Sequence, residues 1–184
     1  MTKNLAFPST YKPRAKSLNK TCHSSSKPIS ASNPTNYPQE SEKVVIRPYQ
    51  NDIANKAVEI LKDFGLCYLS MECRTGKTLT SFLTADRFGA KSVLFITKIK
   101  AMPSVKSDYA LLKPSYSLEV VNYESVHKCS GEYDFIIYDE AHSMGAYPQP
   151  SKRTIATKAV CKGKPVLFLS GTPTPESYSQ IYHQ

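Results

Sequence analysis

From residue 44 onward, short apolar runs alternate with stretches whose apolar residues recur every three or four positions. The runs at 67–70, 93–97, 118–122, 134–139 and 165–170 have the length and branched or aromatic content of buried strands. Between them the period changes. Asn51 to Phe64 places Ile53, Ala54, Ala57, Val58, Ile60 and Leu61 on one helical face, and Gly65 ends it. A second helix is expected from Lys77 to about Phe88, closed by Gly89. Further helices are expected near 101–112, interrupted by Pro103, and near 124–128, 151–161 and 175–183. Strands alternating with helices predict an α/β domain, a parallel sheet with helices on both faces. Such sheets bind ligands at the carboxyl ends of their strands.

Residues 1–43 break this pattern. They are rich in Ser, Pro, Asn and Lys and carry almost no apolar period, so they read as a disordered tail before a single domain at 44–184. The tail holds seven Lys/Arg and two Glu, a balance of +5 out of the whole chain's +9. Such an arm can hold nucleic acid by counterion release, or it can be a solubilising leader. No run approaches the roughly 18 apolar residues a membrane span requires, and the N-terminus lacks a secretory apolar region. The five cysteines are scattered with no Cys-x-x-Cys pair, which reads as reduced thiols without a structural metal. The expected location is the cytoplasm, the nucleoid, or a host cytoplasm for a viral protein.

The candidate chemistry lies at two strand ends. Met71-Glu72-Cys73-Arg74-Thr75-Gly76-Lys77-Thr78 follows the first strand and closes on Gly-Lys-Thr. A loop that wraps a triphosphate needs inward N–H groups, a glycine for close approach and a helix N-terminus behind it. Lys77 would face the β- and γ-phosphates, and the Thr78 hydroxyl would ligate Mg²⁺. Asp139-Glu140-Ala141-His142 follows the run Phe135 to Tyr138. Asp139 can reach that Mg²⁺, and Glu140 can act as general base on the attacking water. Both motifs, in this order and each behind a strand, describe a site for ATP and Mg²⁺. A third run, Pro165 to Leu169, ends in Ser170-Gly171-Thr172-Pro173.

With these three segments the chain resembles the superfamily 2 DNA helicases and translocases, above all the Swi/Snf-like, DEAH-box branch with its bacterial and phage members. The resemblance covers about residues 44–184 and implies the N-terminal RecA-like, P-loop lobe alone. It implies that Gln50, in Arg47-Pro48-Tyr49-Gln50, reads adenine, although Tyr49-Gln50 could simply open the first helix. Thr75, Gly76, Lys77 and Thr78 match motif I, with His142 near the nucleotide. Thr97 and Lys98 fall in motif Ia and Asn122 in motif Ib, as nucleic-acid contacts. Thr97, Lys98 and Lys100 fit ordinary surface equally well. His142 would join motif II to motif III, where Ser170 and Thr172 couple nucleotide state to strand movement. Met71 and Arg74 depart from the usual motif I, whose relatives carry a small residue and a glycine there.

The implied partners are duplex DNA and a second RecA-like lobe, in cis or in trans, that supplies an arginine to the phosphoryl group. The implied activity is that of an ATP hydrolase silent as this lobe alone. A non-catalytic nucleotide- or DNA-binding remnant and an RNA helicase lobe are the alternatives. The intact Asp139-Glu140 pair speaks against the first, and Arg-Pro-Tyr-Gln with Ser-Gly-Thr-Pro against the second. Tyr133 and Tyr138 are expected to pack in the core.

Overall fold

The computed structural model describes residues 45–145 and 149–172. The expected tail at 1–43 and the expected helix at 175–183 lie outside the described residues.

The first helix, α1 (Pro48–Phe64), starts three residues before its apolar period does. Proline suits a first helical turn because that turn needs no N–H partner. The Gln50 side chain accepts the Arg47 N–H at 2.8 Å and so closes the helix start. Gly65 stops the helix with φ 70°. Strand β1 (Leu66–Ser70) and helix α2 (Lys77–Phe88) follow, separated by the Gly-Lys-Thr loop. Strand β2 (Ser92–Thr97) leads through a 3₁₀ turn into α3 (Met102–Leu112). Pro103 does not interrupt α3 but sits in its first turn, where a missing N–H costs nothing.

Strand β3 (Ser117–Asn122) is followed by a single 3₁₀ turn, Val126–Lys128, in place of the expected helix at 124–128. Strand β4 (Phe135–Tyr138) runs into the 3₁₀ turn Ala141–Met144. Helix α4 (Lys152–Cys161), N-capped by the Ser151 hydroxyl, precedes β5 (Val166–Ser170).

All five strands are parallel, in the order β1-β5-β4-β2-β3. One core lies between the sheet and α1, α2 and α3, centred on Leu61, Phe82, Phe95, Val105, Ile137 and Leu169. The opposite face carries a second core of Ile96, Tyr123, Tyr138, Met144 and Phe168 under the two 3₁₀ turns, with Val160 and Cys161 of α4 packed against it. Each fully buried side chain of this size contributes about 1.5–3 kcal/mol. Tyr133 and Tyr138 are buried, as expected from the sequence. Among the described residues no helix is long and apolar enough to cross a membrane.

The strand order matters for the site. It sets β1, β5 and β4 side by side, so the segments that leave their carboxyl ends meet.

Candidate functional site

The Gly-Lys-Thr loop is shaped by two left-handed residues, Arg74 at φ 65° and Gly76 at φ 81°. A Cβ on Gly76 would come within 2.2 Å of Gln50 Nε2, so a side chain there would have to displace Gln50 as well as accept the left-handed backbone. Gln50 is itself 3 % exposed and donates to the Thr75 carbonyl at 3.2 Å, while Tyr49 donates its hydroxyl to the same carbonyl at 2.8 Å. Helix α1 therefore holds the loop in place. Lys77 turns its ammonium inward, onto the carbonyls of Met71 at 3.2 Å and Glu72 at 3.3 Å. Thr78 stands in the first turn of α2. Met71 is buried in the first core and is a packing residue.

The segment Ser170-Gly171-Thr172 closes against this loop. Met71 N–H donates to the Ser170 carbonyl at 3.0 Å. A Cβ on Gly171 would touch Cys73 Sγ, Lys77 Nζ and the Met71 carbonyl, each at 3.4 Å.

Asp139 leaves β4 beside this cluster. Its carboxylate accepts the Thr97 hydroxyl at 2.8 Å and the Glu140 N–H at 3.0 Å. Burial pushes its pKa above the ordinary carboxylate value, while the Thr97 hydrogen bond and the Lys77 charge pull the other way. Glu140 adopts φ 51°, a left-handed conformation that turns the chain sharply after the strand. His142 Nδ1 lies 3.0 Å from Ser170 Oγ and 3.2 Å from Glu140 Oε2. Ser170 Oγ also accepts the Thr172 N–H at 3.1 Å. One histidine nitrogen thus stands between Glu140 and Ser170.

The sequence-derived nucleic-acid contacts separate. Lys98 is exposed. Asn122 is engaged internally, its side chain accepting the Ser125 N–H at 2.9 Å. Thr97 has to be reassigned. It is fully buried, and its hydroxyl is spent on Asp139, so it offers nothing to a DNA phosphate. The pairing of β2 with β4 sets Ile96 opposite Tyr138, which brings the next residues, Thr97 and Asp139, together. Sequence reading also missed Tyr123, whose hydroxyl donates to the Asp139 carbonyl at 2.8 Å. Its ring stacks on Tyr138 with centroids 5.3 Å apart. Burial and the neighbouring tyrosine and carboxylates raise its pKa far beyond neutral pH, so the hydroxyl stays a donor. The only signal for it was an aromatic residue at a strand's carboxyl end.

What this arrangement can do chemically follows from its parts. The backbone bend, the α2 N-terminus and the Lys77 ammonium suit a phosphate chain. The buried Asp139 carboxylate and the Thr78 hydroxyl are hard oxygen donors of the kind Mg²⁺ takes.

No protein-family model matches the chain, and no curated protein matches it. Among solved structures it is similar to a nuclease-deletion mutant of the Type ISP restriction-modification enzyme LlaGI in complex with a DNA substrate mimic. The TM-score is 0.50 at 17% identity, over 71% of this chain and 18% of that one. The chain thus spans less than a fifth of that enzyme's length. At this identity the likeness concerns the fold, which is RecA-like: a parallel five-stranded sheet with helices on both faces.

Proposed function

We propose that this chain is the ATP-binding lobe of a DNA-dependent ATPase of the helicase and translocase type. The observation that carries the reading is the convergence of Lys77, Asp139 and the His142–Ser170 pair at the carboxyl ends of three adjacent strands. A core would not place a lysine, two carboxylates and a histidine at one sheet edge for packing alone.

In this reading Thr75, Gly76, Lys77 and Thr78 cradle the triphosphate, and Gln50 and Tyr49 fix the loop that does so. A contact of Gln50 with the base would require its amide to leave the Arg47 N–H and the Thr75 carbonyl, which hold it in the empty site. Thr78 and Asp139 would hold Mg²⁺, which supplies charge neutralisation on the phosphate oxygens when bound. Lys77 leaves the carbonyls of Met71 and Glu72 for phosphate oxygens. Glu140 takes the proton of the attacking water, and His142 orients its carboxylate. Ser170 and Thr172, tied to His142, pass the state of the site to the next segment. Turnover in this reading requires a second RecA-like lobe, in cis or in trans, with an arginine worth about 10³–10⁵ in rate.

DNA is the proposed partner. The supporting observations are the RecA-like fold, the exposed Lys98 beside the site, and the DNA substrate mimic in the complex of the similar restriction-modification enzyme.

The test is calorimetry of ATP–Mg²⁺ on the wild-type chain and on Lys77→Ala. Loss of one charge-assisted contact weakens binding by about 1.5–3 kcal/mol. Equal affinity in the two proteins would remove the assignment. In an enzyme completed by a second lobe, Glu140→Gln keeps nucleotide binding and loses turnover. Full turnover by that variant would mean that another group is the base.

A further inference from the structure

A recess of about 600 Å³ lies at the amino ends of β1 and β5, the far end of the sheet from the Gly-Lys-Thr loop. Cys67 and Leu69 of β1 face the first core, so Leu66 turns to the opposite face, at the edge of the sheet. Strand register sets Leu66 beside Val166, and Phe168 follows two residues on along the same face. Phe64, at the end of α1, and Met144 complete an apolar lining. Phe64 is 77 % exposed and Leu66 47 %, so apolar surface is left open to water here. A concave, mainly apolar site of this size suits a small organic molecule.

Helix α4 supplies the polar groups. Thr157 and Cys161 are four residues apart and face the recess from one side of the helix. The Thr157 hydroxyl is buried and has no hydrogen-bond partner among the described residues. The Tyr138 hydroxyl lies nearby without closing a bond to it and is turned to Ser143 at 3.4 Å. A buried hydroxyl left unmatched is costly, and a ligand atom would match it.

Lys158 and Lys162 are exposed and stand at the mouth with Lys164. Among the described residues none of the three is in an ion pair, and no carboxylate lines the recess. Lys164 also lies 5.7 Å from the centre of the Tyr133 ring, which leaves Lys158 and Lys162 as the free pair. The carboxyl ends of α1 and α4 each bring about half a negative charge to this end of the sheet. Two or three ammonium groups outweigh that, and the balance favours an anion.

We propose that this recess binds a small amphiphilic carboxylate. Its aliphatic body lies against Phe64, Leu66, Val166 and Phe168, Lys158 and Lys162 hold its anionic end, and a further polar atom meets the Thr157 hydroxyl. The site shares no residue with the nucleotide site and does not depend on the reading of that site.

The experiment is titration calorimetry on the full chain with octanoate, 8-hydroxyoctanoate, 1-octanol and octylammonium as probes. Octanoate should bind saturably at one site, more tightly than octanol, and octylammonium should bind least. Lys158→Ala/Lys162→Ala should weaken octanoate about 2–25-fold, the worth of two exposed ion pairs, and leave octanol unchanged. Thr157→Val keeps the side-chain shape. It should weaken 8-hydroxyoctanoate about 2–12-fold, the worth of one hydrogen bond, without weakening octanoate. The empty Thr157→Val protein should lose no Tm, because no bond is removed from it. Phe64→Ala, at a surface position, should weaken octanoate and octanol alike.

Three results overturn the proposal: octanoate binding no tighter than octylammonium, octanoate affinity unmoved by the lysine pair, or 8-hydroxyoctanoate affinity unmoved by Thr157→Val. Failure of every probe to bind would mean that other residues of the chain, or a second copy, fill the recess, and overturns it equally. Should Thr157→Val fail to fold, the lysine pair, which is on the surface, still decides.

Discussion

The Thr97 hydroxyl donates to the Asp139 carboxylate at 2.8 Å from a side chain with no exposed surface. The contact fixes the carboxylate that would face Mg²⁺ and gives it a donor in a buried place. Thr97→Val keeps the shape and removes the donor. Groups that orient a metal ligand are worth about 10–100-fold in metal affinity. Nucleotide binding by Thr97→Val should therefore need about 10–100-fold more Mg²⁺, and Thr97→Ser should restore it. A Mg²⁺ titration of fluorescent nucleotide binding reads this directly. Identical Mg²⁺ midpoints for wild type and Thr97→Val would show that Asp139 needs no such support.

Asp139 also sets a pH dependence. Burial, the largest effect, raises its pKa above the ordinary value. The protonated form is thus the one that favours the empty fold. Its contribution is fully present below the unfolded pKa of 3.8 and is lost as pH rises through the higher folded one. At neutral pH the ionised group destabilises the empty protein. Asp139→Asn should raise the neutral-pH Tm, by about 2–4 °C for each kcal/mol relieved. The same variant should lose Mg²⁺-dependent nucleotide binding. The Tm gain should vanish toward pH 3, and a lower Tm at pH 7 would refute the argument.

The sheet was legible in the sequence because parallel strands are buried on both faces and read as continuous apolar runs. Val93 to Thr97 and Phe135 to Tyr138 are examples. The loop and acidic motifs were legible because Gly76, Lys77 and Asp139 are residue types that packing does not call for at strand ends. The start of α1 was misplaced because Pro48 and Gln50 act through capping rather than through apolar period. Thr97 was misread for a different reason. Its neighbour is fixed by the adjacency of β2 and β4, which no local pattern encodes. Arg153 and Glu124 are 29 residues apart and meet only because α4 packs beside the turn after β3.

Gly76 tests how α1 holds the loop. A methyl there collides with Gln50 Nε2 at 2.2 Å and must also accept φ 81°. Gly76→Ala should lose about 1–3 kcal/mol of stability. In a Gln50→Ala background the collision is gone but the backbone strain remains. The cost of Gly76→Ala should therefore be smaller there, yet not zero. Urea unfolding of the four proteins of this cycle gives both terms. Equal costs in the two backgrounds would mean that Gln50 does not press on the loop.

Cys73 offers a chemical probe of the same loop. It is exposed, and a Cβ on Gly171 would sit 3.4 Å from both its sulfur and Lys77 Nζ. Cys67 is buried, and burial raises the pKa of Cys67 and of Cys161, the latter to about 11. At pH 8, iodoacetamide should modify Cys73 well before Cys67 and Cys161, as read by peptide mass mapping. ATP–Mg²⁺ should protect Cys73, since the phosphates would occupy the space beside Lys77. Labelling of Cys73 at the same rate with saturating nucleotide would contradict that placement.

Arg74 gives the last test, because its backbone and its charge make separable demands. It holds φ 65°, and its side chain is exposed. A left-handed conformation costs a non-glycine residue roughly 1–2 kcal/mol. Glycine removes that cost but adds about 0.4–1 kcal/mol of unfolded-chain entropy. Arg74→Gly should therefore stabilise the empty chain by about 0–1.6 kcal/mol, the difference between those two ranges. Arg74→Ala removes the same guanidinium and keeps the backbone strain, so it should show no such gain. Thermal unfolding of the three proteins, without nucleotide, isolates the backbone term. A Tm for Arg74→Gly at or below that of Arg74→Ala would mean that the loop is not held left-handed at this residue in solution.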